Sequence, residues 1–309
     1  MRTKKISGAR DAIERIQLPN NLKFYHELDV WQQDNHFIRS AYVKQTSNYA
    51  KCIRSLSYLH NESVNIYSHL VPAFLIALVV VLQIKNPAVD HETPTWVGLN
   101  FLQFGLGAHI CLSLSAAFHL FKSHSPEVCG FGNQCDYFGI VVMITSSLIS
   151  IIVFAFDDTP KWRNSFIIGF MLLGFVCTIL TFDLRFSTPL YRPYRSMMFI
   201  FFGLSGVIPV LVGCYIFGLD LAFNRSSAGW LIMEGFFYIT GAVLYAARFP
   251  ERMCYEAGDH KRFSPGKFDL FGHLHQIFHF MVLIAAICHF TALMGCYKSW
   301  RLRNDVALF

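Results

Sequence analysis

Charge is scarce in this chain: Asp, Glu, Lys and Arg make up only 15% of its 309 residues, while 54% are hydrophobic and 16% aromatic, with Phe alone at 31. A soluble domain needs no such apolar surface, so the implied solvent is lipid. Short alternating segments are also missing, which excludes an outer-membrane barrel. The first 60 residues are polar and the first apolar run is a full span, so no cleavable signal peptide is expected. The nine cysteines contain no CxxC pair. Cys111, Cys177, Cys214, Cys288 and Cys296 fall within apolar runs, where a thiol packs as a small hydrophobe; Cys129 and Cys135 share an expected cytosolic loop that keeps them reduced. No repeat and no second domain are visible, and no nucleic-acid partner is expected.

What is present is a set of seven long apolar runs: Tyr67 to Ile84, Val97 to Phe121, Tyr137 to Phe156, Ser165 to Phe182, Ser196 to Leu219, Gly229 to Ala247 and Leu270 to Tyr297. Each can cross about 30 Å of hydrocarbon, which takes roughly 20 helical residues. Only Glu234 places a formal charge inside one of them. The expected fold is therefore an all-α membrane protein, a seven-transmembrane helix bundle. Lys and Arg divide 19 to 7 between the side holding the N-terminal segment with the even-numbered loops and the side holding the odd-numbered loops with the C-terminal tail. Positive residues are retained inside, so the N-terminus is expected in the cytosol and the C-terminus outside.

Residues 1–45 mix charges and amides without a period and are expected to form a mobile or loosely docked cytosolic arm. The transmembrane domain covers 46–298, and residues 299–309 form an outer tail. Tyr49, Cys52, Ile53, Leu56 and Leu59 recur at helical spacing, with Lys51 and Arg54 on another face. A short interfacial helix over about 48–60 fits this pattern, and so does a connector packed on the protein's own cytosolic face. The sequon at Asn224, Arg225 and Ser226 falls in an expected outer loop.

Chemistry is concentrated at one membrane depth. With this orientation Ser115 and His119 lie near the inner end of the second span, Asp136 opens the third, and His275 with His279 sit in the first turns of the seventh. Residues four apart project from one helical face, so His275 and His279 can bind one ion. Adding His119 makes three neutral nitrogen ligands, and the expected metal is zinc with a fourth position open to water. Zinc lowers the pKa of such a water toward about 7. Asp136 can hold or deprotonate that water, and Ser115 can orient a ring or steady an oxyanion. His109, His273 and His289 share these spans and compete as ordinary bundle histidines; only His275 pairs with His279 across a full turn. Glu62, Asn65 and His69 open the first span, where capping or helix packing competes with a supporting role at the metal. Arg195 either snorkels to the inner interface or binds an anionic group such as a fatty acid carboxylate.

The runs HNESVNIYSHL (60–70), LSLSAAFHLFKSHS (112–125), CDYFGI (135–140), FDLRFSTP (182–189), FGLSGVIP (202–209), YITGAVLYAARFPER (238–252) and PGKFDLFGHLHQIFH (265–279) closely resemble the progestin and adipoQ receptor family, related to the haemolysin III proteins. The resemblance covers roughly residues 50–298 and is strongest to the adiponectin receptors and their fungal relatives. It implies seven helices with the N-terminus inside and an intramembrane zinc held by His119, His275 and His279. It also implies Asp136 on the zinc-bound water, Ser115 in a pattern shared with alkaline ceramidases, and Tyr137 and Arg195 facing a lipid product. The extreme N-terminal arm carries no recognisable resemblance, and 253–264 read as an insertion between PER and PGKFD.

Two functions follow as expectations. One is zinc-dependent hydrolysis of ceramide-like lipid amides, with a fatty acid in the helical cavity and a role in lipid and zinc homeostasis signalling. The other is a signalling receptor with a structural zinc, for which an extracellular protein ligand would be the partner. A zinc transporter is disfavoured, because the histidines cluster at one depth instead of spacing across the bilayer.

Overall fold

Backbone N–H and C=O groups in hydrocarbon must bond within their own segment, and this chain meets that demand with helices. The computed structural model describes residues 18–85, 93–183, 185–186, 191–256 and 265–306, and among them seven helical segments are long and apolar enough to cross a membrane. A short helix α1 (Tyr49–Arg54) precedes α2 (Ser63–Lys85), α3 (Thr95–Phe121), α4 (Pro126–Ala155) and α5 (Pro160–Phe182). The fifth crossing is made by α6 (Arg192–Leu204) and α7 (Val207–Phe217), followed by the short α8 (Leu219–Ser226). Then come α9 (Ala228–Ala247), α10 (Glu251–Glu256) and α11 (Leu274–Val306).

Several boundaries differ from the expected runs, each for a local reason. The third span starts at Pro126 instead of Tyr137, because the Ser125 hydroxyl accepts from Val128 N and Pro fits the first helical position. Asp136, Cys129 and Cys135 are thus helical residues of α4, not loop residues. The fifth span breaks at Ser205 and Gly206. Pro209 cannot donate to the Ser205 carbonyl four residues back, and Ser205 Oγ donates to Phe202 O at 2.6 Å. The expected outer tail, 299–309, is instead helical through Val306. Trp300 Nε1 donates to Asp157 Oδ2 at 2.9 Å and Arg303 donates to Phe154 O at 3.0 Å, which carries the last turns onto the end of α4. Asn224 likewise lies in helix α8 and not in a loop, with Ser226 buried and bonded to Ala222 O.

The N-terminal arm takes the docked of its two expected forms, and more firmly than expected. Residues 1–17 lie outside the described residues, but from residue 18 the segment is docked instead of loose. Leu22–Lys23 pairs antiparallel with Tyr42–Val43 in a two-stranded ribbon. Asp269 then accepts from Arg39 N at 2.8 Å, Ser40 Oγ at 2.6 Å and Gly266 N at 2.6 Å. Glu251 accepts from Asn35 Nδ2 at 3.0 Å and from Leu274 N, the first residue of α11, at 2.9 Å. In α1, Cys52 is fully buried beside Thr46 and Ser123, while Tyr49 and Ile53 face outward. The helix therefore packs on the protein through Cys52 and keeps an apolar face exposed. The expected insertion begins inside α10, and its residues 257–264 lie outside the described residues.

The bundle is tightest between α3 and α4. A Cβ added at Gly139 would sit 3.0 Å from Cys111 Cα, and one at Gly107 would sit 2.1 Å from Ser146 Oγ. Small residues let helix backbones approach in lipid, where apolar burial supplies no drive for association. Farther along the bundle, Phe104, Phe154, Leu293, Cys296 and Trp300 fill the core between α3, α4 and α11. This contact sets how the site residues on α3 and α4 face one another. Gly139→Ala should lower stability by about 2 kcal/mol, since the backbone it meets cannot move aside cheaply. A thermal-shift comparison in detergent checks this; an unchanged midpoint would contradict the close packing.

Candidate metal centre

The polar groups at the ribbon end of the bundle come from four helices. His119 lies one turn from the end of α3, Asp136 three turns into α4, and His275 and His279 in the first two turns of α11, whose start is set by the left-handed Gly272 at φ 78°. Glu62 stands immediately before α2 and Ser68 in its second turn. The ligand nitrogens of His119, His275 and His279 all lie within 4.8 Å of one another, and His119 Nε2 is 3.0 Å from His275 Nε2. Two nitrogens sharing a tetrahedral ion at bond lengths of about 2.0–2.1 Å would be about 3.3 Å apart, so the separation fits a metal between them.

The tautomers agree with that reading. His119 Nδ1 is 2.8 Å from Glu62 Oε2, and a carboxylate only accepts, so Nδ1 carries the proton and Nε2 presents its lone pair to the centre. Ser68 Oγ donates to Asn65 O at 3.1 Å, which leaves its oxygen to accept from His279 Nδ1 at 3.0 Å. The His279 Nε2 lone pair then also points inward. Glu62 is held in turn by Lys122 Nζ at 2.8 Å and Asn65 Nδ2 at 2.6 Å. Burial alone would raise its pKa, but the Lys122 ammonium and the His119 ring outweigh it and keep the carboxyl well below the usual carboxylate range. His69 stacks on His279 with ring centroids 3.7 Å apart, and neither of its nitrogens has a hydrogen-bond partner among the described residues.

The other histidines of these spans are bonded within the bundle. His273 Nε2 meets Asn61 O at 3.1 Å, His109 Nδ1 meets Ala73 O at 3.0 Å, and His289 lies between Glu234 and Ser150. Ser115 is buried close to the Asp136 carboxylate, and both line the same cavity. Tyr137 and Arg195 form a separate pair: the guanidinium lies 4.9 Å over the Tyr137 ring, donates to its hydroxyl at 3.4 Å, and also bonds the Phe186 carbonyl. All seven of these predicted site residues line one cavity of about 1280 Å³.

A model of the haemolysin III-related family matches residues 57–290. The chain belongs to that family. It is 40% identical over 282 residues to the "ADIPOR-like receptor IZH2" of Saccharomyces cerevisiae, covering 91% of this chain and 86% of that one. It is 34% identical over 276 residues to the "Adiponectin receptor protein" of Drosophila melanogaster, covering 89% and 60%. Against "Heptahelical transmembrane protein 1" of Arabidopsis thaliana it is 33% identical over 285 residues, covering 91% and 82%. The protein is thus a multi-pass, adiponectin receptor-like member of the family.

Sequence reasoning left Glu62 open between capping and a supporting role, and it did not single out Ser68 or Lys122. Spacing held part of the signal, since Lys122 follows His119 by one helical turn and Ser68 follows Asn65 by three residues. Replacing Glu62 by Gln removes the charge that holds His119 Nδ1, and should weaken metal binding about 10- to 100-fold. Competition with a chromophoric chelator measures this, and wild-type affinity in Glu62→Gln would refute the assigned contact.

Proposed function

We propose that this protein binds zinc at His119, His275 and His279 and hydrolyses ceramide-like lipid amides, releasing a fatty acid and a sphingoid base as signals. The single observation that carries the reading is three imidazoles, two with Nδ1 anchored, opening onto a cavity they share with the half-buried Asp136 carboxylate. Zinc bound there would supply Lewis acidity toward the amide carbonyl and make water nucleophilic near neutral pH. Asp136, with Ser115 beside it, takes a proton from the water that adds to the carbonyl and returns it to the leaving nitrogen. The apolar walls of the cavity hold the acyl chain and exclude bulk water from the amide. Arg195, laid on Tyr137, binds the carboxylate of the released acid.

The Lys and Arg distribution favours an N-terminus in the cytosol and a C-terminus outside, which places this chemistry at the inner leaflet. Epitopes at the two ends test it. The N-terminal one should resist protease in sealed inside-in vesicles and the C-terminal one should be cleaved; the opposite pattern would reverse the topology.

A second reading is a receptor whose ion pins α3 and α11 without turnover, favoured by Glu62 and Lys122 tying the same ligand to the start of α2. Metal analysis of purified protein together with a ceramide hydrolysis assay separates the two. Wild type should hold stoichiometric zinc and cleave, and Asp136→Asn should keep the metal while losing about 10²–10⁴-fold in turnover. Bound zinc with no cleavage in either protein would establish the receptor reading.

A further inference from the structure

Beyond the metal centre the same cavity contains a second polar group, built around the one carboxylate within the expected spans. Glu234 Oε2 is 2.8 Å from His289 Nδ1, and His289 Nε2 is 3.0 Å from Ser150 Oγ, which itself donates to Ser147 O at 2.8 Å. Phe104 stacks against the His289 ring at 4.8 Å and fixes its plane. Ser150 is fully buried and does not reach the cavity, so this triad is no nucleophile site. Glu234, His289, Ser147 and Tyr238 do line it. Tyr238 lies one helical turn after Glu234 on α9, so both side chains face the same way. Ser147 is 6% exposed, and its hydroxyl meets no hydrogen-bond partner among the described residues. A polar atom in hydrocarbon without a partner costs free energy, which a bound ligand bearing a complementary group recovers.

Depth identifies the ligand. His289 follows His279 by ten residues and Ser147 follows Asp136 by eleven, so both lie about 15 Å deeper than the metal centre, the reach of roughly twelve extended methylenes. Resting on the proposed lipid chemistry, we infer that Glu234, Tyr238 and Ser147 form a subsite for a hydroxyl carried partway along the acyl chain of the substrate or its fatty acid product. A neutral hydroxyl donates to the carboxylate and accepts from Tyr238 or Ser147 at once. An ammonium only donates, and its full charge would have to be stripped of water at mid-membrane.

Displacement of a fluorescent fatty acid from the purified, zinc-loaded protein tests the subsite without requiring turnover. An octadecanoic acid with a hydroxyl about twelve carbons from its carboxylate should bind wild type about 10-fold more tightly than plain octadecanoic acid, the scale of one hydrogen bond to a charged group. An acid with its hydroxyl next to the carboxylate should gain nothing from this subsite. In the triple variant Ser147→Ala, Glu234→Ala, Tyr238→Phe the mid-chain advantage should vanish, while retained binding of the plain acid shows that the variant folds. Equal affinities in wild type, or an advantage that survives in the variant, would overturn the subsite and leave amide hydrolysis standing. Failure of every acid to bind would overturn the subsite together with the lipid reading of the cavity. Binding with the expected preference but no ceramide cleavage would keep the subsite and remove the hydrolase.

Discussion

A buried imidazole nitrogen without a partner costs free energy in a membrane bundle, and the arrangement around His119 and His279 follows from how their Nδ1 atoms are satisfied. For His119 the partner is Glu62, itself a charge that could not stand at this place without Lys122 and Asn65. The result is a relay from an ammonium through a carboxylate to an imidazole, which ties α2 to α3 and turns Nε2 toward α11. His279 repeats the logic with a neutral partner, Ser68, whose own proton is committed to a backbone carbonyl. Two of the three clustered imidazoles are thereby turned toward one another's centre by their neighbours.

The docked N-terminal segment belongs to the same construction. Glu251 joins Asn35 to the first N–H of α11, an orphan donor by its position in the helix, and Asp269 gathers Arg39, Ser40 and Gly266 just before that helix begins. The register of His275 and His279 is thereby set from outside the membrane-spanning helices. A residue in the arm can influence the centre without touching it.

The outline of the fold was legible because hydropathy and helix length are properties of one segment at a time. All seven crossings are visible in this way, and so is the pairing of His275 with His279 across one turn. Boundaries were less legible: Pro126 begins a helix more than two turns before the apolar run, and α11 runs on through Trp300 and Arg303 because they bond the end of α4. Of the two expectations for the arm, mobile or docked, the sequence could not choose, because its anchors, Asp269 and Glu251, are more than two hundred residues away in sequence. Within the site, His119 and Asp136 could be placed at one depth from topology, while the roles of Glu62, Ser68 and Lys122 depended on which face each helix presents.

By itself the sequence determined that this is a seven-helix membrane protein and that His119, His275 and His279 fall near one end of their spans, since periodicity and apolar length act along a single chain segment. The tertiary structure decided which histidines meet and which are satisfied elsewhere. The rotation of one helix against another is set by close backbone contacts such as Gly139 on Cys111, and no pattern within either helix encodes that angle.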